Sequence, residues 1–326
     1  MNNKKLQILS KSVLGRALSI LGFFKGYDPL PPAYVALYLT YRCDLNCPFC
    51  YQDKSKITTF PDMTLEDAII IENNIRKSLW FKPRVHFFGG EPTISASFLP
   101  IFKLFAGKGY SLSLTSNGHV GKYAQEILNT AGRVEINLSL NTMDFGKTHS
   151  VLEMFARDSG KKNVRINLNC PINRDNCGRL SEVVDEFKES HVESFVFQHP
   201  AFSQQYNIGL DPATIEKQVG EIGKRKYKFP VLFNPRIRAR DIKSYYAEGP
   251  FPVSASKCFY SWVVLLIQPN GDIAPCEMIS AALGNMKNAS LKELWNSKEF
   301  VTFRKSLLER GADRPPCSRC CHKRYP

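Results

Sequence analysis

Between residues 33 and 198, short runs rich in β-branched and aromatic residues alternate with longer helical stretches, and this alternation restricts the chain to few folds. The strand-like runs are 33–39 (AYVALYL), 84–88 (RVHFF), 110–115 (YSLSLT), 133–140 (RVEINLSL), 163–169 (NVRINLN) and 194–198 (SFVFQ). Helical patterns lie between them near 64–79, 97–107, 120–130, 147–157 and 179–190, the first opened by Thr64 with Asp67 three residues on. Strands separated by crossover helices pair in parallel. Six such units predict an α/β fold, a partial (β/α)6 TIM-like barrel. In barrels of this kind the chemistry lies where strands end and βα loops begin.

Composition bounds the rest. The 326 residues are 43% hydrophobic and 23% charged, enough apolar material for one large core and a smaller unit. No stretch reaches the roughly 18 uninterrupted apolar residues of a spanning helix, and residues 1–25 carry Lys and Gly where a secretory signal needs a clean apolar block. A cytoplasmic protein is expected. The domains predicted are a helical extension at 1–30, the barrel core at 31–200, a proline-punctuated connector at 201–257 with a helix near 211–225, and a small C-terminal α+β unit at 258–326. The last contains a hairpin whose Asn270-Gly271 turn calls for positive φ, then helices near 290–296 and 297–309. The net charge of +14 favours anionic partners, and local basic groups occur at Lys224-Arg225-Lys226 and from Arg236 to Arg240. In KKLQILSKSVLGRALSILGFFK, Leu6, Leu9, Val13, Ala17, Ile20 and Phe24 form one stripe. That pattern suits either peripheral membrane contact or a helix packed on its own protein.

The ten cysteines are clustered, which suits reduced thiols gathered on metal better than disulfides. Cys43, Cys47 and Cys50 follow the first strand directly in YRCDLNCPFC. Three such thiols could be an incomplete structural zinc site, a redox pair with a bystander, or ligands of an iron–sulfur cluster. Structural zinc wants four ligands, and no His or fourth Cys is nearby. A four-iron cubane held by three thiolates keeps one iron open.

The spacing CxxxCxΦC, with Phe49 as the aromatic, resembles the signature of the radical S-adenosylmethionine (SAM) enzymes. The resemblance implies that the open iron chelates the amino and carboxylate groups of SAM, and that reductive cleavage yields a 5′-deoxyadenosyl radical that abstracts hydrogen from a substrate. HFFGGEP at 86–92 is similar to the family's GGEP motif, which implies that Gly89, Gly90, Glu91 and Pro92 meet the cofactor's amino group. On the residues alone, two glycines at a strand end allow close backbone approach to a ligand. LTSNG and NLSLN end the third and fourth strands. By resemblance Ser116, Asn117, Ser139 and Asn141 are candidates for the cofactor's carboxylate and ribose, although Ser and Asn are also ordinary turn formers there.

Cys258, Cys276 and the pair Cys317 and Cys320 resemble a SPASM auxiliary-cluster domain, with Cys321 able to replace Cys320 as a ligand. Fuller SPASM modules continue with further spaced thiols, so one auxiliary cluster is expected here; a structural zinc knot is the alternative. The cofactors implied are SAM and two 4Fe-4S clusters, with a flavodoxin or ferredoxin-type reductant. Cys170 and Cys177, in NCPINRDNC, are either plain free thiols or donors of a hydrogen atom to a substrate radical. His86, His119 and His199 sit near strand ends and are read as structural.

The single auxiliary set, and the lack of an evident leader-peptide domain, favour an anionic small metabolite that is oxidised or rearranged. Peptide maturation by cross-linking or epimerisation is the second reading. A basic zinc protein contacting nucleic acid is a third, but no zinc-finger spacing is present and GGEP has no purpose there, so no nucleic acid is expected. A scaffold that keeps a cluster without turnover is a fourth.

Overall fold

A computed structural model describes residues 30–156, 163–200, 210–246, 257–279, 281–310, 317–320 and 323–324. The stripe within residues 1–25 and Cys321 lie outside them. The six expected strands are β1 (Tyr34–Thr40), β2 (Arg84–Gly89), β3 (Leu112–Ser116), β4 (Val134–Ser139), β5 (Val164–Pro171) and β6 (Ser194–Gln198). Each pairs in parallel with the next in sequence.

The sheet is larger than six strands. β7 (Val231–Asn234) joins β6 in parallel, and β9 (Val264–Ile267) joins the free side of β1, carrying β10 (Ile273–Ala274) antiparallel. The order is β10-β9-β1-β2-β3-β4-β5-β6-β7, while β8 (Lys257–Cys258) and β11 (Lys323–Arg324) form a separate small ladder. The hairpin thus extends the barrel sheet. β7 escapes a sequence reading because VLFN is short and bracketed by Pro230 and Pro235. The hairpin turn also differs from expectation: of Asn270 and Gly271 only Gly271 has positive φ, at +90°. Gly271 N–H donates to Gln268 C=O at 2.9 Å and Gln268 N–H to Asp272 C=O at 2.7 Å, so Pro269, Asn270 and Gly271 make a three-residue loop.

The helices form where their patterns place them. Leu65–Ser78 begins at Thr64, whose hydroxyl accepts from Asp67 N–H at 3.0 Å, and buries Ala68, Ile71, Glu72 and Ile75 along one stripe. On the strands, period-two alternation separates two faces. Val134, Ile136 and Leu138 of β4 enter the main apolar core against the helices, while Glu135, Asn137 and Ser139 stand half-buried on the other side. Along β3 to β6 that inner face is polar and internally bonded, while Ala36, Tyr38, Phe88 and Leu266 make a second apolar cluster at β1, β2 and β9. Arg84 pairs with Glu135 at 2.8 Å, Asn167 donates to Glu135 at 3.3 Å and to Asn137 at 3.1 Å, and Ser194 donates to Asn167 at 2.8 Å. His86 sits between the hydroxyls of Ser113 and Thr115, at 2.9 and 3.2 Å. No helix among the described residues is long and apolar enough to cross a membrane.

Two imidazoles are held neutral by burial: His86 is pushed down to about 4, and His199, bonded to the Tyr246 hydroxyl at 2.6 Å, to about 3. The unfolded chain binds these protons near 6.5, so their contribution to stability is complete above that pH and is lost as pH falls towards 4. His199→Gln is expected to flatten this slope by up to about one proton, or about 1.4 kcal/mol per pH unit. Urea denaturation between pH 4 and 6.5 measures it.

Candidate active site

The end of β2 is packed against the start of the cysteine loop. Gly90 N–H donates to Thr40 C=O and Glu91 N–H to Arg42 C=O, each at 2.9 Å. A Cβ on Gly90 would stand 2.0 Å from the Arg42 carbonyl oxygen, and one on Gly89, whose φ is +145°, 2.2 Å from that of Thr40. The close approach allowed by the two glycines is therefore between two backbone segments. Arg42 is fixed in turn by Asp62.

Beyond Arg42, Cys43 is exposed while Cys47 and Cys50 are half-buried. Cys50 N–H closes a turn onto Cys47 C=O at 3.1 Å, and Leu45 N–H points at Cys43 Sγ at 3.4 Å. Burial, then the charges of Cys50 and Cys43, push the Cys47 thiol up to about 11. Burial, followed by Asp44, Glu91 and Cys50, raises Cys43 as well. The three thiols share one field. Each thiolate formed opposes the next unless a cation relieves them. A closed zinc site takes four ligands, whereas a cubane takes each thiolate on a different iron, so a set of three thiols fits a cluster with one iron left open.

The neighbouring motifs brace that loop. Glu91 is 1% exposed; its Oε1 accepts from Thr93 N–H at 3.2 Å and from the Thr93 hydroxyl at 2.5 Å, and its Oε2 accepts from Asn117 N–H at 2.7 Å. It caps the single turn Pro92–Ile94, with Pro92 at the first position. Burial raises its carboxyl despite these donors. Ser116 Oγ accepts from Gly118 and Val120 N–H, both at 3.2 Å, so it caps its own turn.

Asn117 faces the cysteine loop. Its Nδ2 donates to Asp44 Oδ1 at 2.6 Å and lies 3.8 Å from Cys43 Sγ, while its Oδ1 accepts from Lys147 at 3.4 Å. Asp44 also meets His119 at 3.4 Å and Lys147 at 3.7 Å. Although burial works against it, Asn117, Lys147 and His119 hold the Asp44 carboxyl below its ordinary range. Asp44 and Lys147 escaped the sequence reading: adjacency to Cys43 was the sole clue for the first, and nothing marks the second.

Phe49 and Asn141 line one cleft of about 550 Å3, together with Leu45, Cys47, Met143 and Arg179. That volume suits a cofactor-sized molecule. Ser139 ends β4 half-buried on the inner face.

Cys170 lies on the face of β5 shared by Ile166 and Leu168, 1% exposed in the helix-side core, and burial pushes its thiol up to about 12. Its burial among the helix-side apolar residues suits the plain free-thiol alternative. Cys177 packs against the same core with Sγ 3.6 Å from the Arg174 carbonyl.

The second cysteine set also converges. Burial, then the charges of Cys320, Cys258 and Cys317, raise the Cys276 thiol well above its ordinary value. Cys258 lies on β8 opposite Lys323, and Cys317 opens a short turn closed by Cys320 N–H at 3.2 Å. Arg319, between them, donates from Nε to Tyr245 C=O at 2.5 Å while the Tyr245 hydroxyl donates to Arg319 C=O at 2.8 Å. The fully buried Arg304 donates to the carbonyls of Ser261 at 2.9 Å and Trp295 at 2.7 Å, and the Ser261 hydroxyl donates to Pro275 C=O at 2.9 Å, beside Cys276.

A polar bridge joins the two sets. Tyr51, next to Cys50, donates to Glu277 Oε2 at 3.1 Å; Glu277, next to Cys276, accepts from Tyr260 at 3.0 Å. Tyr41 donates to Gln268 at 3.1 Å alongside.

Residues 37–169 match the radical SAM superfamily, and residues 258–321 match the SPASM iron–sulfur cluster-binding domain. The chain belongs to the radical SAM enzymes that carry a SPASM domain. It is 25% identical over 302 residues to a PqqA peptide cyclase of Xanthomonas campestris pv. campestris, covering 84% of this chain and 76% of that one. Against a PqqA peptide cyclase of Streptomyces rochei it is 23% identical over 309 residues, covering 89% and 81%. Its fold is similar to that of Streptococcus suis SuiB bound to precursor peptide SuiA, with TM-score 0.63 and 16% identity over 84% of this chain and 66% of SuiB. Native anSMEcpe with bound AdoMet gives TM-score 0.63 and 16% identity, covering 88% of each chain. The partial TIM-like barrel is shared with these structures.

Gly90→Ala is expected to destabilise the protein by about 3 kcal/mol, because backbone must move to admit the methyl group. It should also reduce iron uptake on anaerobic reconstitution. Gly107→Ala, where an added Cβ meets nothing within 4 Å, is the control, and urea denaturation with iron analysis reads both.

Proposed function

We propose that this radical SAM enzyme modifies a peptide by oxidative hydrogen abstraction. In this reading Cys43, Cys47 and Cys50 hold a 4Fe-4S cluster with one iron left for SAM, and Cys258, Cys276, Cys317 and Cys320 hold a second cluster with every iron ligated. Cluster and SAM, when bound, supply a 5′-deoxyadenosyl radical. The protein's own residues do the rest. Phe49 and Asn141 wall the cleft beside Cys47, and Asn117, with its Asp44 and Lys147 partners, orders the side next to Cys43. Gly89, Gly90, Glu91, Pro92 and Ser116 act chiefly by fixing the loop that bears the thiols. Ser139 and the polar inner face, with neutral His86, offer hydrogen-bonding partners to a substrate that enters the barrel. The Tyr51–Glu277 bridge ties the segments that carry the two cysteine sets, and a second cluster, when bound, would supply an electron acceptor. An external flavodoxin or ferredoxin supplies the first electron.

The observation that carries the choice of substrate is similarity along 84% of the chain to proteins named for a peptide that they cyclise. SuiB, alike in fold, is bound to a precursor peptide. The expectation of a small metabolite gives way to the peptide reading on this ground. It had rested on cysteine count and on the absence of an evident leader-peptide domain, and neither feature describes what enters the barrel.

Anaerobically reconstituted protein is expected to hold roughly eight irons per chain. With dithionite and SAM it should release 5′-deoxyadenosine, and Cys47→Ala should abolish that release. Mass spectrometry of short peptides encoded beside the gene should show one that loses about two mass units, the two hydrogens removed by one abstraction and one further electron and proton loss. Turnover of a sugar or nucleoside with no peptide converted would overturn the choice of substrate.

A further inference from the structure

Among the described residues β7 is the last strand of the large sheet, so one of its edges has no strand beside it. Towards β6, the carbonyls of Pro230 and Asn234 accept from Phe195 and His199 N–H at 3.0 and 2.8 Å. Backbone groups alternate in direction along a strand, so the N–H and C=O of Val231 and Phe233 face outward. Beside this edge runs an apolar trough of about 410 Å3 lined by Val219, Ile222, Tyr227, Phe229, Val231 and Phe233. On the opposite face Leu232 is 48% exposed.

The flanks are uniformly basic. Residues 224–240 contain seven Lys and Arg and no Asp or Glu. Arg225, Lys228 and Arg238 are paired with Asp185, Glu189 and Asp241. Lys224, Lys226, Arg236 and Arg240 are exposed, with no ion pair among the described residues.

We propose that β7 is the docking edge for an acidic segment of the peptide substrate, which adds to the sheet as a further strand; this rests on the peptide reading above. Strand addition draws affinity from main-chain hydrogen bonds and selectivity from pockets for alternate side chains, and here the outward Val231 and Phe233 groups and the trough supply both. Charge selects the occupant. The same cations that repel a second copy of this edge attract a strand bearing Glu and Asp. β1 to β7 are all parallel, so β7 ends on the barrel face where β1 releases the cysteine loop, and a peptide laid along β7 is led to that face.

The test uses reconstituted full-length protein and a fluorescein-labelled synthetic peptide of alternating Glu and Val, read by anisotropy. A Lys/Val counterpart and a Glu/Val version N-methylated at alternate residues are the controls. The Glu/Val peptide should bind at least tenfold more tightly than either control. Val231→Pro, which removes an outward N–H unused by the β6 ladder, should weaken binding at least tenfold. Replacing Lys224, Lys226, Arg236 and Arg240 together by Gln should weaken it similarly and reduce its dependence on salt. Equal binding of the N-methylated peptide would overturn the proposal without any question of variant folding. So would full competition by phosphatidylserine vesicles or duplex DNA, or self-association of the protein that Val231→Pro abolishes. Binding is read without turnover, which separates the two readings. A docked but unconverted peptide counts against the choice of substrate, whereas a converted peptide with unchanged KM in Val231→Pro counts against the docking edge alone.

Discussion

The approach of two backbone segments, Gly89-Gly90 at the end of β2 and Thr40 to Arg42 at the end of β1, is the constraint on which the site depends. Two hydrogen bonds of 2.9 Å fix the point from which the cysteine loop departs, and any side chain at Gly90 would occupy the position of the Arg42 carbonyl. Thiols on a loop are useful as cluster ligands when their separation is set before metal arrives, because each thiolate raises the cost of the next. Glu91 extends the brace to β3 through Asn117 N–H. A buried carboxylate that accepts three protein donors stiffens the mouth of the barrel while leaving the cleft beside Phe49 and Asn141 open.

The barrel has two chemically distinct faces. Outward residues join a continuous apolar core with the helices, whereas Arg84, Glu135, Asn137, Asn167 and Ser194 line the inside as a bonded network. The C-terminal unit is continuous with this sheet, since β9 lies against β1 and the Tyr51–Glu277 contact ties one cysteine set to the other across 226 positions of sequence. Buried Arg304 and Arg319 clamp the segments that bear Cys258, Cys276, Cys317 and Cys320, a role for which hydrogen bonds to carbonyl groups suffice.

Much of this was legible in the sequence because period-two and helical patterns are local. The strands β1 to β6, the Thr64 cap and the close spacing of Cys43, Cys47 and Cys50 could be read from neighbours alone. What escaped was set by contacts distant in sequence. Pro230 and Pro235 argue against a strand until β6 is there to accept VLFN. The hairpin at Gly271 carries no sign that β1 is its partner. The side chains of Glu91 and Ser116, candidates for the cofactor by resemblance, also accept from backbone N–H groups at the strand ends, contacts that their motifs do not announce. Cys170 falls on the helix side of β5 by simple alternation, which its motif context obscured.

The proposed function turns on whether the three thiolates of one loop hold an iron with a position open to SAM. Electron–nuclear double resonance on the reduced protein, with SAM labelled by 15N at its amino group and 17O at its carboxylate, tests this most directly. The account requires hyperfine coupling from both labels that disappears in Cys47→Ala. An unperturbed cluster signal with neither coupling would contradict it.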